Sequence, residues 1–172
     1  MIAEDAITLV KALIQEAGCD GIYYCVQNAE TFRFTSEEYH KFVEPYDLKV
    51  LDYANSISKY NILHCCGWSG DKNRVEVWKN YKAAAVNWAV YVEDMDLNVG
   101  RDFFNANCVL GGFDNRKNGV LYSGTLDEIK SETIKLINTV GKKGTILGAD
   151  CTLSNDIDLS HIKSVADTAR NI

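Results

Sequence analysis

His64 and Cys66 stand two residues apart in the run Asn61-Ile-Leu-His-Cys-Cys66, and Cys151 closes the later run Thr145-Ile-Leu-Gly-Ala-Asp-Cys151. An extended segment alternates its side chains between two faces, so His64 and Cys66 point one way and Cys65 the other. One imidazole and two thiolates are donors that zinc accepts in preference to magnesium or calcium. Three such ligands leave a tetrahedral ion with one open position, as catalytic zinc sites require. The same residue types also suit an inert interior, because cysteine is among the most buried side chains. The triplet by itself leaves both readings open.

The elements that must carry these residues follow from hydrophobic periodicity. Ala3, Ile7, Val10, Ile14 and Ala17 recur at helical spacing, with Gly18 as a stop. Short apolar runs at 20–25, 61–66, 84–90, 108–113 and 145–149 read as strands. Between them lie helical stretches near 35–57, 74–82, 98–106 and 125–140, and a last one follows Asp158. Thr35-Ser-Glu-Glu38 and Thr125-Leu-Asp-Glu128 have the capping-box form. One helix followed by five strand–helix units predicts right-handed βαβ connections and a parallel sheet. Periodicity alone leaves two architectures, a doubly wound open sheet and a piece of a barrel. No G-x-G-x-x-G or P-loop follows any strand.

Both architectures place function at the C-terminal strand ends. Those ends carry Gln27 and Asn28, then His64 and Cys66, then Asn87 and Trp88, then Asp114 to Arg116, then Asp150 and Cys151. Gln27, Asn87 and Asp114 are the expected substrate-binding residues, although Asp114 could equally organise its own loop. Glu93, Asp94 and Asp96 read as a solvated acidic loop, the run Asp71 to Arg74 as a solvated turn, and His40 and His161 as surface residues.

The 172 residues are expected to form a single domain over 1–172. A composition of 47% hydrophobic and 24% charged residues is that of ordinary globular material. With 18 basic and 24 acidic residues, the net charge of -6 disfavours nucleic acid and anionic membrane surfaces as partners. No uninterrupted apolar run approaches the roughly 18 residues of a membrane span. An acidic start, Met-Ile-Ala-Glu-Asp, lacks the basic flank of a signal peptide. The expected compartment is therefore the cytoplasm, where six cysteines are thiols or metal ligands rather than a disulfide frame.

Several blocks recur in an order that resembles the uroporphyrinogen decarboxylase superfamily. They are Gly21-Ile-Tyr-Tyr24, Glu44-Pro-Tyr46, Ile62-Leu-His-Cys-Cys-Gly67, Val86-Asn-Trp88, Gly111-Gly-Phe-Asp114, Gly124-Thr125 and Ile146-Leu-Gly-Ala-Asp-Cys151. The likeness runs from about residue 18 to about residue 170 and matches the C-terminal half of that family's barrel. It implies an incomplete (β/α)8 TIM barrel of about five parallel strand–helix units plus an N-terminal helix. The corrinoid-dependent methyltransferase branch, which includes methylcobalamin:coenzyme M methyltransferase, holds zinc through a His-x-Cys pair and a later Cys; His64, Cys66 and Cys151 match that pattern. The decarboxylase branch carries a histidine near its last strand, where this chain reads Gly148-Ala-Asp-Cys-Thr152. The resemblance thus implies zinc as cofactor, a corrinoid as methyl carrier, and a thiol or similar acceptor.

Complete barrels of this kind need about 250 residues. Open parallel edges invite association, so the expectation is a homo-oligomer, a complementing half-barrel, or a chain that is a fragment of a longer product, with a corrinoid protein or small-molecule substrate as partner. Two alternatives remain at this point: a porphyrinogen decarboxylase, and a non-catalytic half-barrel acting in assembly or binding.

Overall fold

A computed structural model describes residues 1–67 and 70–172. Helix α1 (Ile2–Lys11) continues through a wider π turn, Ala12–Glu16, and leads to β1 (Tyr23–Val26). Then come α2 (Ser36–Phe42), α3 (Glu44–Ile57) and β2 (Ile62–Cys65), a single 3-10 turn at Val75–Trp78, and β3 (Ala85–Trp88). A short α4 (Val90–Glu93) and α5 (Leu97–Phe104) precede β4 (Val109–Phe113). The chain ends with α6 (Val120–Ser123), α7 (Leu126–Val140), β5 (Thr145–Ala149) and α8 (Leu159–Arg170).

All four strand pairings are parallel, and the spatial order is β1-β2-β3-β4-β5. A doubly wound sheet reverses its strand order at a switch point. A sequential parallel order with helical crossovers is instead an arc of a (β/α) barrel, which settles the choice that periodicity left open.

The two faces of the arc differ in chemistry. Val26, Leu63, Cys65, Val86, Trp88 and Val109 pack outward with Tyr39, Leu51, Trp78, Leu97 and Phe104 into one buried cluster. Burial of each large apolar side chain there contributes about 1.5–3 kcal/mol. The indoles keep their N–H groups satisfied: Trp88 Nε1 donates to the Met95 carbonyl at 2.8 Å and Trp78 Nε1 to the Tyr39 hydroxyl at 2.8 Å. The alternate strand positions, Tyr23, Cys25, His64 and Asn87, lie on the opposite face.

Both capping boxes form. Thr35 and Thr125 accept from the backbone N–H of Glu38 and Glu128, whose carboxylates reach back to the cap N–H. Asp158 caps α8 as expected, and Asp96 caps α5 through the N–H groups of Asn98 and Val99. The stretch 35–57 is two helices rather than one. Pro45 lies in the first turn of α3, where a missing N–H costs nothing, and it cannot extend α2. The 74–82 stretch keeps only the 3-10 turn. Asn73 within the supposed solvated turn is buried, with its side-chain amide donating to Glu93 at 2.8 Å. No helix among the described residues is long and apolar enough to cross a membrane.

Candidate metal centre

His64 sits at the end of β2, opposite Cys25 on β1 and Asn87 on β3. It is 5% exposed and its ring stacks on Tyr23, with centroids 5.3 Å apart. Its Nδ1 contacts the Asn87 side-chain oxygen. Asn87 is wholly buried, and its amide nitrogen donates to the carbonyl oxygens of Leu110 at 2.9 Å and Ala149 at 3.2 Å. Turning that amide over would aim its oxygen at two carbonyl oxygens, so the amide orientation is fixed. The Tyr23 hydroxyl donates to the same Asn87 oxygen at 2.7 Å. An oxygen acceptor at Nδ1 requires Nδ1–H, which leaves the Nε2 lone pair free for a metal.

Nε2 faces thiols. Cys151 Sγ lies 3.5 Å from it and 3.8 Å from Cys66 Sγ. Tetrahedral zinc, with bonds of about 2.3 Å to sulfur and about 2.0 Å to nitrogen, places its ligands about 3.8 Å apart for S–S and about 3.5 Å for S–N. The donor types, the tautomer and these two separations fit that ion. His64 and Cys66 at the end of β2 are therefore brought together with Cys151, 85 residues beyond Cys66.

Both site thiols have raised pKa values. The hydrogen bond between Cys151 and Cys66 raises the Cys151 thiol, His64 works against it, and burial adds to it; the result is about 11. At Cys66 the Cys151 contact lowers the pKa, but hydrogen bonding to Cys25 and burial outweigh it and leave the thiol raised. Cys65, on the apolar side of the strand, is raised well above its usual value by complete burial.

Around this group stand the other strand-end residues. Gln27 is exposed, and its Nε2 donates to Cys66 Sγ at 3.5 Å. Asn87, expected at a substrate pocket, is enclosed, with its polar atoms engaged by His64, Tyr23 and two carbonyls. Asp114 is gripped by its own loop: both carboxylate oxygens accept from the Arg116 guanidinium, at 2.7–3.0 Å. Burial works to raise Asp114, yet this fork holds it below the usual carboxylate value. Asp150 is 1% exposed, accepts the Tyr91 N–H at 3.0 Å, and is pushed by burial to about 7. Its second oxygen has no partner among the described residues.

Cys25 is the candidate ligand that sequence reading missed. Its donor atom and those of His64 and Cys66 all lie within 4.8 Å of one another. It reads as ordinary strand interior, and only the β1–β2 register, which pairs it with His64, reveals it.

The structure superposes on a methyltransferase from Methanosarcina mazei. The TM-score is 0.75 at 17% sequence identity, over 98% of this chain and 47% of the other. The shared fold is the barrel architecture, and this chain spans about half the length of that protein. No family model matches the sequence. No curated protein matches it either.

Proposed function

We propose that this chain carries the zinc half of a methyltransferase barrel of the uroporphyrinogen decarboxylase superfamily, moving a methyl group from a corrinoid to a thiol acceptor. One observation carries the reading: Cys151 Sγ lies 3.5 Å from His64 Nε2 and 3.8 Å from Cys66 Sγ, the separations that tetrahedral zinc needs between those pairs. The structural likeness to a methyltransferase agrees with it.

Bound zinc would stabilise an acceptor thiolate at neutral pH. The protein's own residues do the rest. Asn87 keeps His64 in its ligating tautomer, and Gln27 offers an N–H to the Cys66 sulfur. Tyr23, Cys25 and Gln27 are exposed beside the centre, so the acceptor and a flat macrocycle can approach from that side. Asp114 fixes Arg116 at the rim, where a guanidinium suits an anionic group on the substrate.

The test is methyl transfer from methylcobalamin to 2-mercaptoethanol, followed by loss of methylcobalamin absorbance and by mass spectrometry of the thioether. The zinc-loaded chain should transfer and Cys66→Ala should not. A zinc-loaded chain that is inert would remove the methyl-transfer reading while leaving the metal centre in place.

A further inference from the structure

Three ligands leave a tetrahedral ion one ligand short, and a further donor stands beside two of them. Cys25 and His64 are register partners on adjacent strands, so their side chains leave the same face of the sheet. The Cys25 sulfur, a His64 nitrogen and the Cys66 sulfur lie within 4.8 Å of one another. Cys66 Sγ also lies 3.8 Å from Cys151 Sγ. The ligands differ in accessibility. His64 and Cys66 are each 5% exposed, Cys151 is intermediate, and Cys25 is exposed on edge strand β1. Cys65, its sulfur on the opposite face among apolar side chains, is no candidate.

We propose that Cys25 is an exchangeable fourth ligand, closing the zinc site at rest as Cys3His and giving up its place to the acceptor thiol. The proposal rests on the zinc reading above. In the exchange the zinc–sulfur bond to Cys25 breaks, one to the acceptor sulfur forms, and the acceptor's S–H proton passes to the Cys25 thiolate. Three thiolates and one neutral imidazole surround the ion before and after, so the charge of the site is conserved and no oxidant or reductant is needed. Cys25 is more exposed than His64 or Cys66, so it can leave without opening the packing around them. A thiol at this position also keeps a resting ion from binding stray anions.

The experiment uses the full chain in a phosphine-reduced, thiol-free buffer, loaded with Co2+ in place of zinc, and read by thiolate-to-cobalt charge-transfer absorption and by X-ray absorption. Wild type should show three sulfurs and one nitrogen. Cys25→Ala should show two sulfurs, with metal affinity lower by about tenfold or more, and 2-mercaptoethanol should restore the third. In wild type the sulfur count should stay at three on adding 2-mercaptoethanol, while Cys25 changes from protected to reactive toward iodoacetamide. That second readout needs no variant to fold. A metal-loaded wild type with two sulfurs, or Cys25 alkylated equally fast with and without metal, overturns the proposal and leaves the three-ligand centre standing. Failure of wild type to bind metal at all overturns both.

Discussion

Asn87 presents its side-chain oxygen to His64 Nδ1 while spending its amide nitrogen on the carbonyls of Leu110 and Ala149. One buried amide therefore ties three strands together and also sets the tautomer of the histidine. Outer partners of this kind are worth about 10–100-fold in metal affinity. Asn87→Leu, which removes acceptor and donors together, should lower zinc affinity by about that factor. Asn87→Asp, which keeps an acceptor for Nδ1–H, should bind zinc more nearly as wild type does while unfolding at lower urea. Competition against a chelator measures both. Equal zinc affinity in wild type and the Leu variant would contradict the assignment.

Gly100 in α5 lies against Trp88, the residue after Asn87. A Cβ at Gly100 would come within 2.0 Å of the Trp88 ring, which is fully buried. Alanine ordinarily gains about 1 kcal/mol over glycine within a helix. Here overpacking costs about 1–3 kcal/mol or more, so Gly100→Ala should lower the urea midpoint. A midpoint at or above wild type would show that the indole moves aside freely.

Asp47 gives a pH signature. Its carboxylate accepts from the hydroxyls of Tyr24 at 3.3 Å, Tyr39 at 2.8 Å and Tyr81 at 3.4 Å. Burial raises its pKa above 3.8, and the three hydroxyls offset that only in part. A carboxyl raised in the folded state contributes most below its unfolded pKa, and that contribution is lost as pH rises through the folded value. The stability of wild type relative to Asp47→Asn should therefore fall between pH 4 and pH 7, as urea melts at the two pH values would report. A constant difference would contradict the sign.

The alternation of strands and helices was legible in the sequence because each element carries its own period and cap, as with Thr125 and Glu128 ahead of α7. The convergence of His64, Cys66 and Cys151 was expected because strand ends are where side chains meet, and the three do lie together. Cys25 was not, since strand register depends on contacts between segments, and four residues of β1 do not specify it. The role of Asn87 was hidden for a similar reason: its two carbonyl acceptors lie on β4 and β5, remote in sequence. The break between α2 and α3 was within reach, because Pro45 marks it.

The central claim is a zinc ion held by His64, Cys66 and Cys151. Elemental mass spectrometry of the protein, purified without a tag and without added metal, tests it most directly. About one zinc per chain is expected, lost in Cys66→Ala. Protein without zinc, with all three thiols of Cys25, Cys66 and Cys151 free to alkylate and no uptake when zinc is supplied, would contradict it.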